Sequence, residues 1–183
     1  MKTLALITGL AAAMALPTMA HADYANDRAM FENISNRYMI AMDAGDIDTV
    51  MDTWAEDGVM VTVFGEQHGK KAIREALSPF VGGAAAHADV KEGDTHRPRT
   101  RHQIINHVID VDGNTAHTIA YWFAFTNATP QHDVQLLYMG HYTDELVKQD
   151  GKWLFKKRTV YNESLQNRKL YYPELGETNP LKK

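Results

Sequence analysis

Residues 99–126 read RTRHQIINHVIDVDGNTAHTIAYWFAFT and predict two long β-strands joined by a tight turn. The segment is rich in isoleucine, valine, threonine and aromatic residues. Residues 112–114, Asp-Gly-Asn, interrupt it with side chains that tolerate the positive φ angles of a hairpin turn. Regular alternation along the first strand puts His102 and Asn106 on one face with apolar neighbours, and His107 on the other. A histidine on an apolar sheet face is a candidate for pointing into a pocket.

The remaining chain shows helical patterns first and strand patterns afterwards. Gly45 suits the C-terminal cap of the first helix, and Asp46 suits the N-terminal cap of the second. The spacing predicts helices over 27–43, 47–55 and 70–80, a strand over 59–64, a loop over 82–98, and a second hairpin over 136–148 and 153–163. Three helices followed by four long antiparallel strands predict an α+β fold with the helices gathered on one face of a curved sheet.

The first residues have the pattern of a secretory signal. Met1-Lys2 is basic, residues 4–16 are largely apolar, and Ala20-His21-Ala22 matches an A-x-A cleavage site. The apolar run is too short to span a bilayer as a helix. We therefore expect residues 1–22 to be removed after Ala22, leaving a periplasmic or secreted protein that does not insert into the membrane.

The composition of the mature chain, from residue 23 onward, restricts the classes of function that we expect. Loss of Lys2 takes the formal net charge from −4 to −5, and no basic patch indicates nucleic-acid binding. The chain has no cysteine, which excludes thiol catalysis and zinc–thiolate sites and favours a bacterial periplasm over a disulfide-stapled secreted module. Its histidines do not form the short H-x-H or H-x-x-x-H pairs typical of metal ligands, so we predict no metal.

Five motifs along the mature chain resemble a known family. They are DAGDID (43–48), WAEDG (54–58), GKKAI (69–73), RHQIINHVIDVDGNTA (101–116) and GHYTDELVKQDGKWLFKKR (140–158). Together they resemble a SnoaL-like domain of the NTF2-like superfamily over residues 27–162. The resemblance implies a conical α+β fold, in which a curved antiparallel sheet and three N-terminal helices enclose a deep pocket. We expect this domain to cover 23–164, followed by an irregular tail over 165–183.

The resemblance also implies a set of site residues. Cofactor-free lyases of this superfamily, such as bile acid 7α-dehydratase, scytalone dehydratase and hexachlorocyclohexane dehydrochlorinase, share an aspartate at the end of the first helix and a histidine at the start of a strand. Asp43 and His102 match these positions. Tyr38 and Arg158 match a tyrosine and an arginine of the bile acid enzyme, whereas the dehydrochlorinase has a lysine in place of the tyrosine. The implied catalytic set is Tyr38, Asp43, His102 and Arg158, with no cofactor.

These four residue types suit the removal of a proton next to an electron-withdrawing group. Histidine is the side chain whose ordinary pKa lies nearest neutrality, so His102 is the expected base. Asp43 would accept a hydrogen bond from the imidazole and fix its tautomer. Tyr38 would hold a substrate carbonyl or protonate a leaving hydroxyl. Arg158 lies on a strand face where apolar residues are expected. A buried charge there needs a partner, so we expect Arg158 to bind an anion or a carboxylate such as Asp43.

Each of these residues also has a purely structural interpretation. Asp43 could simply end its helix, His102 and Tyr38 could be satisfied core residues, and Arg158 could form a structural ion pair. Because all four stand at family positions, a dehydratase-like lyase or an isomerase is the favoured prediction. A non-catalytic ligand-binding protein and an assembly module remain the alternatives.

Residue types also predict the kind of ligand and the surface through which copies of the chain associate. We expect a small hydrophobic or polycyclic molecule, contacted by Trp54, Phe64, Asn106, Tyr121, Phe123 and Tyr138. The resemblance implies a homodimer or homotrimer. An exposed sheet face that includes Ile105, Ile109 and Val111 is the predicted interface.

Overall fold

The computed structural model describes residues 16–86, 88–89, 91–93, 95–166, 170–171 and 180–181, with side chains from residue 24 onward. Its elements are α1 (Leu16–Ala44), α2 (Ile47–Asp52), β1 (Trp54–Thr62), β2 (Gly65–His68), α3 (Gly69–Leu77), α4 (Gly83–Ala86), β3 (Thr100–Asp112), β4 (Thr115–Thr126), β5 (Gln135–Gln149) and β6 (Lys152–Asn162). The α+β class and both predicted hairpins are confirmed.

The six strands form one curved, unclosed sheet in the order β2-β1-β6-β5-β4-β3. All neighbours are antiparallel except β1 and β6, which run parallel. The predicted central hairpin is β3–β4, whose Asp112 pairs with Thr115 across the turn. Strand β3 is the last of these six, so within the described part of the chain one of its edges has no neighbouring strand.

Helix α1 packs its apolar side chains against the inner face of this sheet. Phe31, Tyr38 and Met42 are buried in one cluster with Trp122 and Phe155 from the strands. Burial of each such side chain contributes about 1.5–3 kcal/mol relative to exposure. This packing fixes the end of α1 beside β3.

The turn between α1 and α2 follows the predicted capping. Gly45 has a φ of 87°, in the left-handed region that suits glycine. Asp46 then caps α2, because its Oδ1 accepts a hydrogen bond from the Thr49 backbone N–H at 3.0 Å. Both caps lie within four residues of Asp43, so local sequence determines where α1 stops.

Helix α2 is shorter than predicted. It ends at Asp52, and Trp54 begins strand β1 instead of closing the helix. The cause is tertiary, since the Phe155 backbone N–H donates to the Thr53 carbonyl at 2.9 Å and Trp54 pairs with Phe155. The short strand β2 and helix α4 were also absent from the predicted elements.

A β-bulge changes which residues of β3 face inward. The register with β4 shifts between Ile105 and Val108, and Asn106 is exposed with a φ of 57°. One extra residue reverses the alternation beyond that point. The prediction that His107 lies opposite His102 is therefore wrong, because both face inward.

Because of the same bulge, the predicted interface is wrong at two of its three residues. Ile109 is 4 % exposed and Val111 packs against the core, whereas Ile105 remains outside. Val108, which the alternation had placed inward, is 41 % exposed on the outer face.

The two ends of the chain are described only in part. The backbone of α1 begins at Leu16, before the predicted cleavage site, and residues 1–15 of the predicted signal lie outside the described part. Most of the predicted tail over 165–183 lies outside it as well. Within the described chain, no helix combines the length and apolar character that crossing a membrane requires.

Candidate active site

A cavity of about 640 Å³ opens between the helices and the inner face of the sheet. This volume is typical of sites for small organic molecules. Most of the lining is apolar, with contributions from Met39, Met42, Met60, Leu77, Trp122 and Val160. The polar lining includes Tyr38, His102, Tyr142 and Asn162. The cavity therefore suits a mainly apolar molecule that carries a few polar groups.

Asp43 and His102 meet at the wall of this cavity, as predicted. The Nδ1 atom of His102 lies 2.6 Å from Asp43 Oδ1, and the His102 backbone N–H donates to Asp43 Oδ2 at 2.9 Å. The carboxylate can only accept, so Nδ1 carries the proton and Nε2 is left for a bound molecule. The His102 side chain is 23 % exposed and lines the cavity, and that of Asp43 is 9 % exposed.

The free edge of β3 explains why one carboxylate makes both bonds. His102 belongs to the last strand of the sheet formed by the described residues, and none of those strands accepts its outward-directed N–H group. Asp43, at the end of α1, accepts it instead and simultaneously holds the ring. The imidazole is thus fixed in position and tautomer by one side chain.

Two tyrosines, Tyr38 and Tyr142, belong to the polar lining of the cavity. Burial raises the pKa of Tyr38, and the neighbouring Arg158 guanidinium offsets part of that rise. Burial raises the pKa of Tyr142 well above its ordinary value. Both hydroxyls therefore stay protonated at neutral pH and can donate hydrogen bonds to a ligand.

Arg158 lies behind these tyrosines and does not line the cavity. Its Nε and Nη2 atoms donate to Oδ1 and Oδ2 of Asp144, both at 2.8 Å, and both side chains are fully buried. The partner is thus Asp144 and not Asp43. Burial acts to lower the pKa of Arg158, but Asp144 raises it overall, so the guanidinium remains charged.

Aromatic rings enclose the Arg158 guanidinium. Its central carbon lies 4.6 Å from the ring centroid of Tyr38, 4.3 Å from that of Tyr142 and 3.9 Å from that of Phe155. Such contacts favour a desolvated cation. Arg158 therefore packs against the two cavity tyrosines but, unlike them, does not line the cavity.

Only two of the six predicted ligand contacts line the cavity, namely Phe64 and Tyr138. Trp54 is fully buried behind Tyr38, with ring centroids 6.5 Å apart. Tyr121 and Phe123 lie on the outer face, because the inward positions of β4 are the even-numbered residues. Asn106 is exposed at the bulge. These four positions are corrections to the prediction.

The sequence analysis did not place Tyr142 among the ligand contacts, and it missed Asp144 altogether. Both lie on the inward face of β5, where alternation groups them with buried Leu146. The available signal was the charge of Asp144 on an otherwise apolar face. This residue lies directly opposite Arg158 in the β5–β6 register. It was not recognised, because the register of two strands cannot be read from one strand alone.

A second histidine–carboxylate pair lies outside the cavity. His141 Nδ1 is 2.6 Å from Glu163 Oε1, and neither residue lines the cavity. Its ring stacks on Tyr161 with centroids 4.5 Å apart. Over the described residues, no group of three or more His, Asp or Glu side chains is arranged to hold a metal ion.

Removal of either charge from the Arg158–Asp144 pair should destabilise the fold. An Asp144→Asn variant leaves a buried guanidinium without its counter-charge, and we expect a loss of about 3–5 kcal/mol in the free energy of unfolding. The double variant Asp144→Leu/Arg158→Met should lose less than either single variant, because no buried charge remains. Urea unfolding of Asp144→Asn, Arg158→Met and the double variant measures these losses. Asp57→Asn, which removes an exposed ion pair with Lys156, is the control that should change little. Equal losses in the double and single variants would contradict this account.

Comparison with known proteins identifies the family. The SnoaL-like domain profile matches residues 23–159, whereas no curated protein has a significantly similar sequence. An NTF2-like protein with a cystatin-like fold from Novosphingobium aromaticivorans is 18 % identical, with a TM-score of 0.67 over 87 % of this chain and 98 % of that one. A proposed scytalone dehydratase from the same organism is 21 % identical, with a TM-score of 0.62 over 79 % and 88 % of the two chains.

A protein from Catenulispora acidiphila, solved in complex with S-DNPA, is 22 % identical, with a TM-score of 0.61 over 76 % of this chain and 95 % of that one. At such identities the structures show a shared fold only. The profile match spans most of the chain, and the matched range contains both the Asp43–His102 contact and the Arg158–Asp144 pair. The chain therefore belongs to the SnoaL-like domain family, with the NTF2-like, cystatin-like fold.

Proposed function

We propose that this protein is a cofactor-independent lyase of the dehydratase type, or an isomerase that uses the same base. The observation that carries the proposal is the 2.6 Å contact between Asp43 and His102 at the wall of an apolar cavity. A neutral imidazole with a fixed tautomer is suited to accept a proton from carbon. Asp43 stabilises the imidazolium that forms.

The elimination needs no external reactant. His102 Nε2 takes a proton from a carbon next to a carbonyl group, and the electrons of the broken C–H bond form the new C=C bond. The C–O bond to the leaving hydroxyl breaks, its electron pair stays on oxygen, and the imidazolium returns the proton so that water leaves. Tyr38, kept protonated by burial, donates a hydrogen bond to the carbonyl oxygen as negative charge develops there. In an isomerase the proton would return to a different carbon.

The lining favours a small hydrophobic or polycyclic substrate that bears a carbonyl and a hydroxyl group. Methionine side chains from α1 and β1 adapt to irregular apolar shapes. The likeness to a proposed scytalone dehydratase and to a protein that binds S-DNPA agrees with this class. This support comes from the shared fold alone and does not rest on any shared residue.

One observation favours a second candidate, a non-catalytic ligand-binding protein. Asp43 also accepts the backbone N–H of His102, so it has a structural reason to be present even without chemistry. The same apolar cavity would hold a ligand equally well. Turnover therefore distinguishes the two candidates.

Substitution of the base tests catalysis. We expect the wild-type chain to dehydrate a member of a panel of cyclic β-hydroxy ketones, followed by the absorbance of the conjugated product. His102→Gln should lower kcat by about 10²–10⁴-fold, the usual contribution of a general base. Asp43→Asn should also lower it, because the tautomer is no longer fixed.

The matched control is His141→Gln, which removes a histidine with the same Nδ1–carboxylate geometry outside the cavity. It should keep wild-type turnover. If His102→Gln and His141→Gln retain equal activity, His102 is not the base. If the chain binds panel members without turning any over, the binding protein is the better description.

We also propose that the chain is exported to the periplasm. The support is the basic, apolar and A-x-A pattern of residues 1–22. N-terminal sequencing of the protein recovered from the periplasm should then begin at Asp23. A Leu10→Arg variant, which interrupts the apolar run, should accumulate unprocessed in the cytoplasm. Recovery of wild-type chain that begins at Met1 in the cytoplasm would contradict export.

We further propose that two or three copies associate through the outer face of the sheet. Ile105, Val108, Tyr121 and Met139 are each 40–41 % exposed there, on neighbouring strands. Light scattering should give a dimer or trimer for the wild type and a monomer for Tyr121→Arg. Tyr171→Arg, at an exposed tyrosine after the last strand, is the control that should leave the mass unchanged. A monomeric wild type would contradict the proposal.

A further inference from the structure

Two phenylalanines at the cavity mouth are unusually exposed. Phe64 is 77 % exposed and Phe80 is 54 % exposed, although both line the cavity. Their rings are nearly parallel, with an interplanar angle of 19° and centroids 6.3 Å apart. Exposed apolar surface at the mouth of a cavity indicates contact with something apolar when the site is filled.

The backbone holds both rings from separate turns. Phe64 lies in the hairpin turn between β1 and β2, where its N–H donates to Thr62 Oγ1 at 3.1 Å. Phe80 follows α3, where its N–H donates to the Leu77 carbonyl at 2.8 Å and its carbonyl accepts from the Gly83 N–H at 3.1 Å. Hydrogen bonds therefore hold the backbone at both positions, and the orientation of each ring depends on rotation about its side-chain bonds.

We propose that Phe64 and Phe80 form an aromatic clamp that selects ligands with a planar ring. A flat ring between two parallel rings needs them about 7 Å apart, twice an optimal contact of about 3.5 Å. The centroid distance of 6.3 Å includes any lateral offset of the nearly parallel rings, so rotation of these exposed side chains has to open the gap for a bound ring. Tyr138, 44 % exposed on the lining of the same cavity, offers a further ring.

This inference rests on the proposed function and specifies its substrate class. The clamp holds an aromatic or conjugated ring at the mouth, and the remainder of the molecule extends toward His102. A saturated, puckered ring of equal size makes poorer contact, because its axial hydrogens keep the flat phenyl faces apart. Phe64 and Phe80 are therefore specificity-determining residues, and neither takes part in proton transfer.

A pair of related compounds tests the clamp without any need for turnover. We would measure the binding of 2-naphthol and of decahydro-2-naphthol to the purified chain by calorimetry. The wild type should bind the planar compound more tightly. Phe64→Leu and Phe80→Leu keep apolar bulk but lose the flat face, and each should reduce that preference by about tenfold, the usual value of an aromatic pair.

The matched control is Phe125→Leu, taken from a similar pair outside the cavity, in which Phe123 and Phe125 stack with centroids 6.4 Å apart. It should keep the wild-type preference. If both clamp variants also keep it, or if the wild type has no planar preference, the clamp is refuted.

Two further measurements keep the result interpretable. Should a clamp variant unfold, as judged by circular dichroism, the ring protons of Phe64 and Phe80 in the wild type give the answer by NMR. They should shift when 2-naphthol binds, and unchanged signals would refute contact. His102→Gln should keep the planar preference while it loses turnover, so a failed clamp and a failed catalytic proposal remain distinguishable.

Discussion

The buried ion pair between Arg158 and Asp144 is the interaction around which the interior of this domain is arranged. The two charges have almost no exposure; two hydrogen bonds join them, and the Thr118 hydroxyl donates a third to Asp144. The rings of Tyr38 and Tyr142 pack on the guanidinium and form part of the cavity wall. The buried pair thus supports two hydroxyl-bearing rings beside the cavity.

Different residues supply the apolar surface of the cavity and its carboxylate–imidazole pair. Methionine, leucine and aromatic side chains supply apolar surface, while one carboxylate orients one imidazole at the edge of the sheet. Asp43 can do this because α1 ends beside the unpaired edge of β3, where a backbone N–H also needs an acceptor. The same side chain thus meets a structural requirement of the fold and would meet the requirement of the proposed catalysis.

Local irregularities in the strands decide which residues enter the cavity. The bulge at Asn106 turns His107 inward and Val108 outward, and hence changes both the core and the outer face. His107 then packs edge-on against Phe31 at 5.5 Å between ring centroids, and burial lowers its pKa. His107 is therefore neutral at pH 7 in its half-buried position, although it shares an inward face with His102. Two histidines on one strand have different environments because only one of them has a carboxylate partner.

The sequence by itself determined the α+β class, the hairpin turns, the end of α1 at Gly45 and the Asp46 cap. Each of these depends on residues within a few positions of one another. It also indicated Asp43 and His102 through family motifs. Tertiary structure alone decided that Trp54 starts a strand, that Asn106, Tyr121 and Phe123 stay outside the cavity, and that Arg158 pairs with Asp144. These outcomes depend on strand register and on a one-residue bulge, and a shift of one residue reverses every side chain that follows. No single strand carries that information, because register is a property of two segments in contact.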